Sequence, residues 1–289
     1  MNYILYNPLA DNGNGKENAR AQAEKLLPGE TVVYLDVTES DLYSVLKKAA
    51  AEDRVVLAGG DGTLWHAANS LNGRPLPHPL HYIPCGSGND FMADVREREG
   101  SEMILLDPYL KDLPSVTVKG KRCLFLNNVG FGIDGYCCEV GDKLRAESPN
   151  KKINYAGIAI KGLLFHFKPR SAKVTVDGVT HIYQHVWLAP AMNGRYYGGG
   201  MMVAPGQDRL NAGRRLSVVI MHKKSKLKTL MVFPSIFKGE HVKHTEMVEV
   251  LTGHRIHVEF DQPTALQIDG ETVLGVTEYT AEAAVVKEL

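Results

Sequence analysis

Val55-Val56-Leu57-Ala58-Gly59-Gly60-Asp61-Gly62-Thr63-Leu64-Trp65-His66-Ala67-Ala68-Asn69 is the stretch whose reading decides the fold. An apolar run, a turn rich in glycine and a second apolar-rich stretch predict a buried strand, a tight turn and a helix. Such a turn aims free backbone N–H groups and the positive end of a helix dipole at one point, and its glycines let an anion approach the backbone. Phosphate is the expected anion. A carboxylate in the middle of a phosphate cradle is repelled unless a cation lies between, so Asp61 points to Mg²⁺ bridging to a nucleotide.

The same alternation extends on both sides. Strand-like residues 3–6 precede a helical stretch at 16–27, residues 31–35 precede one at 40–51, and 81–83 lead into a helix from Asp90. Short connections between alternating elements predict a parallel sheet flanked by helices, with ligands at the carboxyl ends of its strands. Three turns lie at such ends: residues 7–15, 59–63 and 86–89. Gly13-Asn14-Gly15-Lys16 is not a P-loop, because Ala10 stands where that motif needs Gly and Glu17 where it needs Ser or Thr.

From about residue 103 the texture changes. Residues 116–118 turn at Gly120 into 123–125, and 174–176 turn at Asp177-Gly178 into 180–183, the alternation and turn chemistry of hairpins. Further strands are predicted at 186–188, 216–220, 255–260 and 265–268, with helices near 153–166 and 224–237. This second region reads as antiparallel and sandwich-like. Asp269-Gly270, between 266–268 and 272–274, is open to two readings from its spacing: one more hairpin turn, or a carboxylate with a chemical task.

Composition sets ordinary bounds. The 289 residues are 44% hydrophobic and carry 33 basic against 33 acidic side chains, so no global field draws the chain to nucleic acid, and no nucleic-acid partner is expected. The four cysteines, Cys85, Cys123, Cys137 and Cys138, show neither metal-ligand spacing nor a disulfide framework, which fits a reducing cytoplasm. Residues 3–6 are strand-like without a leader pattern, and no run of about 18 apolar residues occurs, so neither secretion nor a membrane span is expected. The eleven histidines show no paired-ligand spacing, and no zinc site is inferred.

Four elements in order carry a resemblance: residues 59–63, Gly86-Ser87-Gly88-Asn89-Asp90-Phe91, Asn193-Gly194-Arg195-Tyr196-Tyr197-Gly198-Gly199-Gly200 with Ala204-Pro205 behind it, and Asp269-Gly270-Glu271. In this order they resemble the diacylglycerol kinase catalytic-domain family, which includes soluble bacterial lipid kinases, sphingosine kinases and ceramide kinases. The resemblance implies an α/β nucleotide-binding domain, Rossmann-like or phosphofructokinase-like, at 1–108. A β-sandwich-type acceptor-binding domain would follow at 109–278, with residues 279–289 returning to the first domain and a strand at 282–287. It implies ATP and Mg²⁺ as cofactors. Asn7, Pro8, Gly59, Gly60, Asp61, Gly62, Thr63, Gly86, Ser87, Gly88, Asn89 and Asp90 would face the nucleotide, with Asp61 and Asp90 on the metal. Asp269 would be the general base that accepts the proton of an alcohol, Glu271 would orient it or help hold the metal, and Asp61 completes the catalytic set.

The expected function is ATP-dependent phosphorylation of a hydroxyl of diacylglycerol or a related lipid, in phospholipid metabolism. The acceptor would be met at the inner membrane surface by a cytoplasmic, peripherally bound protein, and a homodimer is compatible. A NAD kinase or other small-alcohol kinase, and a catalytically weak nucleotide or lipid sensor, are the alternatives. The chain departs from the family at Trp65 and His66, where an Asn-Glu pair is common, at Ala93, where Arg is usual, and at Asn211-Ala212-Gly213, where Asp-Asp-Gly marks a structural metal. Residues 153–167, apolar nearly all round, read as a buried core helix or as the wall of an acyl-chain cleft. His222, Lys223, Lys224, Lys226 and Lys228 read as a solvated helix start or a contact with anionic lipid.

Overall fold

The computed structural model describes residues 1–86, 88–148, 153–223 and 225–285. The chain divides into two compact units, Met1–Leu113 and Pro114–Leu289. The division falls after Leu113, a few residues beyond the expected end at 108.

The first unit is a five-stranded sheet. β1 (Asn2–Tyr6), β2 (Val32–Asp36), β3 (Arg54–Gly59) and β4 (Leu80–Pro84) run parallel in the order β2-β1-β3-β4, and β5 (Ile104–Leu105) pairs antiparallel with β4. Its helices are α1 (Ala10–Gly13), α2 (Gly15–Leu26), α3 (Leu42–Lys48), α4 (Asp61–Leu71), α5 (Asp90–Glu99) and α6 (Asp107–Leu110). Ile4, Leu5, Val55, Val56 and Leu57 are wholly buried on β1 and β3, because a central parallel strand is covered on both faces and needs a continuous apolar run. Ala19, Ala23 and Leu27 pack against Ile4, Val56 and Ile83 in one core cluster. Phe91 of α5 stands edge-on between Tyr82 and Tyr109, at 5.9 and 5.3 Å between ring centroids. Asn72 and Gly100, both left-handed, end α4 and α5.

The second unit holds β6 (Ser115–Val118), β7 (Lys121–Leu124), β8 (Asn128–Gly132), β9 (Arg170–Val176), β10 (Val179–Met192), β11 (Tyr196–Tyr197), β12 (Met201–Met202), β13 (Leu216–His222), β14 (Val248–Gly253), β15 (Arg255–Ile268) and β16 (Glu271–Glu282). Nine of them form one sheet along the path β14-β13-β10-β8-β15-β16-β6-β7, with β9 joined to both β10 and β15. β10 and β15 are long strands with register shifts, and each pairs with β8 at one end and β9 at the other. The sheet thereby bends over a core that includes Phe131, Val174, Val258, Phe260, Leu266 and Tyr279. A second core on the far side of β10 and β13 is covered by α7 (Ile133–Glu147), α8 (Tyr155–Lys161), a π-helical turn at Gly162–His166, α9 (Lys226–Val232) and a 3₁₀ turn at Phe233–Lys238.

Three differences from the sequence reading have physical causes. Residues 279–282 do not return to the first unit: Tyr279–Glu282 continue β16, pairing with β15 and β6, because Tyr279 and Ala281 point into the core of the bent sheet. Residues 286 and 287 of the expected strand lie outside the described residues. Helix α7 carries glycines at 135 and 141 that hide its periodicity, and Gly135 is there because a Cβ would stand 2.1 Å from the Ala265 carbonyl oxygen of β15. Residues 153–167 are not a buried core helix, since Ile160 and Phe165 are 48% and 72% exposed.

Candidate functional site

In the first unit two glycine turns lie back to back at the carboxyl ends of β3 and β4. A Cβ on Gly86 would sit 2.5 Å from the Gly60 Cα, so only glycine permits this approach. Cys85 N–H donates to the Gly59 carbonyl at 2.8 Å, and the Tyr82 hydroxyl donates to the same oxygen at 3.0 Å. Asp61, the first residue of α4, reaches across to α5: its Oδ2 accepts the Asp90 N–H at 2.8 Å and its Oδ1 the Phe91 N–H at 2.9 Å. The side chain thus caps the second helix while its own backbone begins the first.

Asn7, at the end of β1, donates through Nδ2 to the Thr63 hydroxyl at 2.9 Å and accepts the Leu9 N–H at 2.9 Å. The three turns singled out in the sequence, at the ends of β1, β3 and β4, are therefore tied into one end of the sheet. Pro8 follows Asn7 directly, and Ser87 lies outside the described residues. Gly62 has no atom within 4 Å of where a Cβ would be, so the first turn of α4 is open beside it. Trp65 and His66 meet edge to face at 4.9 Å one turn on, and Ala93 is exposed.

These residues fit a cation-bound nucleotide. An ionised carboxylate offers about four lone-pair sites, and both oxygens of Asp61 accept a backbone N–H. Asn89 donates Nδ2 to the Gly86 carbonyl at 2.8 Å, while its Oδ1 is buried with no hydrogen-bond partner. A buried acceptor oxygen without a donor suits a hard cation, which takes oxygen ligands. Asp90, 7% exposed, sits in the same first turn of α5.

In the second unit Asp269 lies in a hairpin turn, one of the two readings its spacing allowed. Asp269 and Gly270, at φ 48° and 94°, make the two-residue turn that joins β15 to β16, with Ile268 opposite Glu271. The Asp269 carboxylate nevertheless points inward: Oδ2 accepts the Leu126 N–H at 2.5 Å, and Oδ1 accepts the N–H groups of Asn127 and Asn128 at 2.7 and 3.0 Å. Burial raises its pKa to about 6, against the lowering effect of those three N–H groups and of the Arg209 charge. Asp177-Gly178 forms the matching turn between β9 and β10, and its carboxylate accepts the N–H groups of His254 and Arg255, but it lies at the surface and its pKa is not raised.

The segment that cradles Asp269 is itself held by residues far along the chain. Asn193 donates Nδ2 to the Leu126 carbonyl at 2.7 Å, and the N–H groups of Asn193 and Gly194 both donate to the Asn127 carbonyl. Arg209, 6% exposed, donates to the Asn127 side chain at 3.0 Å. Gln207 donates to the Arg215 carbonyl and accepts from the Ser217 hydroxyl. Behind the turn, Gln267 accepts the Gly270 N–H at 3.0 Å and donates to Asp134 at 3.4 Å. Asp134 is buried, its Oδ1 has no hydrogen-bond partner, and burial raises its pKa to about 7. Arg209, Gln267 and Asp134 were not singled out in the sequence, where a buried Arg or Gln looks like any other. Glu271 is exposed at the start of β16, and no hydrogen bond joins it to Asp269 among the described residues.

Residues 2–106 match the family model described as diacylglycerol kinase catalytic domain, and residues 127–285 match the model described as YegS C-terminal NAD kinase beta sandwich-like domain. A protein named diacylglycerol kinase from Mycobacterium tuberculosis (strain ATCC 25618 / H37Rv) is 27% identical over 267 residues, spanning 88% of this chain and 84% of that one. Another of that name, from Bacillus subtilis (strain 168), is 23% identical over 280 residues, spanning 93% and 88%. A crystal structure described as a diacylglycerol kinase from Bacillus anthracis str. Sterne shares the fold, with a TM-score of 0.63 at 20% identity over 98% of this chain and 94% of that one. With one model on each unit, and the second covering more than half of the chain, this chain belongs to the diacylglycerol kinase catalytic-domain family, phosphotransferases with an alcohol group as acceptor.

Proposed function

We infer that this chain is a lipid kinase that transfers the γ-phosphoryl group of ATP to a hydroxyl of diacylglycerol or a related lipid. The observation that carries this reading is the pair of glycine turns locked together by Asp61, which leaves the first turn of α4 open beside Gly62. Backbone N–H groups and the α4 dipole there favour the phosphates. Bound Mg²⁺ would neutralise charge on the transferring phosphoryl group, and Asp61, Asn89 and Asp90 are the residues that would hold it.

An alcohol is too weak an acid to ionise beforehand, so a carboxylate must take its proton as the bond to phosphorus forms. Asp269 suits that task. It is buried, ionises near pH 6 and is held rigidly by three N–H groups. The test is a comparison of acceptors under one condition: purified full chain, Mg-ATP, and in turn diacylglycerol, monoacylglycerol, sphingosine, ceramide, NAD and glycerol, with products identified by mass spectrometry. The reading predicts a kcat/KM for one of the lipids well above that for NAD or glycerol. Preference for NAD or a soluble alcohol would overturn it.

A further inference from the structure

Two of the helical segments that cover the second core carry groups of exposed large apolar side chains on their outer faces. On α8 and the π turn, Ile160, Leu164 and Phe165 are 48%, 37% and 72% exposed, and on α9 Leu227 and Met231 are 70% and 67% exposed. Ile160 and Leu164 are one helical turn apart, as are Leu227 and Met231, so each pair shares a face. The opposite faces, through Ala159, Leu163, Val232 and Ile236, are buried in one core, and α9 lies beside the π turn. Large apolar side chains grouped on neighbouring helices mark an interaction surface, whereas scattered ones do not.

Charge says what kind of surface it meets. No acidic residue occurs between Glu147 and Asp177 or between Asp208 and Glu240. Lys161 lies within the first apolar group and Lys168 follows it, while Lys223 and Lys226 precede the second, all exposed; Lys228, between Leu227 and Met231, is tied to Glu246 at 2.6 Å. Exposed apolar side chains interspersed with lysines, on two segments without acidic residues in a chain of zero net charge, are complementary to an anionic lipid surface.

Resting on the lipid-kinase reading, we propose that the faces of α8, the π turn and α9 dock this kinase on an anionic phospholipid bilayer, with Phe165, Leu227 and Met231 entering the acyl boundary and Lys161, Lys223 and Lys226 against the headgroups. The apolar residues supply the salt-independent part of the attraction and the lysines the part screened within a Debye length, about 8 Å at physiological salt.

The experiment measures sedimentation of the full chain, without nucleotide, on vesicles of phosphatidylcholine alone and of an equal mixture with phosphatidylglycerol. Two triple variants are compared with wild type: Phe165→Ser, Leu227→Ser, Met231→Ser, and Lys161→Gln, Lys223→Gln, Lys226→Gln. The serine variant is expected to lose at least about tenfold in partition at any salt, and the glutamine variant about a hundredfold at low salt and little at high salt. Both should phosphorylate a short-chain, water-soluble diacylglycerol at the wild-type rate. No partition of the wild type on mixed vesicles, or unchanged partition of the serine variant, overturns the proposal. So does a change of oligomeric state in the serine variant, which would make the surface an interface between copies. Failure of the wild type to phosphorylate the soluble diacylglycerol would count against the kinase reading alone, because partition is read without turnover.

Discussion

Asp61 and Asp90 are joined by a hydrogen bond from the N–H of Asp90 to the carboxylate of Asp61, at 2.8 Å, and the next N–H, of Phe91, reaches the other oxygen at 2.9 Å. One side chain therefore fixes the two glycine turns in relation to each other. In Asp61→Asn one oxygen becomes an amide that faces an N–H donor. The variant is expected to lose about 1–3 kcal/mol of stability, with faster amide exchange in the first turn of α5, and to bind Mg-ATP at least tenfold more weakly. Calorimetric Mg-ATP affinity equal to wild type in the folded variant would remove Asp61 from the nucleotide site.

Gly86 and Gly62 separate packing from binding. A methyl on Gly86 collides with the Gly60 backbone, so Gly86→Ala should lower Tm by several degrees. A methyl on Gly62 meets no protein atom and lies in the first turn of a helix, where Ala is favoured over Gly. Gly62→Ala should keep or slightly raise Tm while weakening Mg-ATP binding. Thermal scans with and without nucleotide distinguish the two.

Asp134 provides a pH-dependent stability. Its folded pKa, about 7, lies above the ordinary value, so the folded state holds the proton more tightly than the unfolded chain does. Stability contributed by the protonated carboxyl is present below about pH 4 and is lost as pH rises through about 7. Asp134→Asn cannot ionise. It should gain on wild type by a few kcal/mol between pH 4 and pH 8 in denaturant titrations, and a constant difference across that range would contradict the assignment.

If Asp269 is the base, its ionisation governs the rate. With a pKa of about 6 it is protonated and inactive below that pH, so kcat/KM on a soluble acceptor should rise through about pH 6 to a plateau. A profile flat from pH 5 to 8 would exclude it.

Much of this was legible in the sequence, and the parts that were not have a common cause. The strands of the first unit follow from continuous apolar runs, and Gly59 to Thr63 announces its own turn. That the Asp61 carboxylate belongs to α5 is a contact across 29 positions, and no local pattern encodes it. The long strands β10 and β15 read as two pieces each, because Gln184-His185 and Asp261-Gln262-Pro263 interrupt the alternation. The structure absorbs both interruptions as register shifts, with His185 at φ 55°. Asn193-Gly194 was visible as a motif, yet its task of holding residues 126–128 under Asp269 emerges only from the fold. Arg209 left no trace in the sequence, since the desolvation that its charge offsets is a tertiary property.

Transfer of label from γ-labelled ATP to diacylglycerol, compared between wild type, Asp269→Asn and Asp177→Asn, tests the account most directly. Oδ1 of Asp177 accepts both the His254 and Arg255 N–H groups, which Asn reproduces, and Oδ2 only shares that of His254 at 3.1 Å, so its variant should keep the wild-type rate. Asp269→Asn sets an amide against the Leu126 N–H and will be somewhat less stable, so its folded fraction and ATP affinity are measured alongside. The account predicts labelled phosphatidic acid from wild type and from Asp177→Asn, and a rate lower by roughly 10²–10⁴ in folded, ATP-bound Asp269→Asn. No labelled lipid from wild type with diacylglycerol or with any other lipid of the acceptor panel, or equal rates from all three proteins, would contradict it.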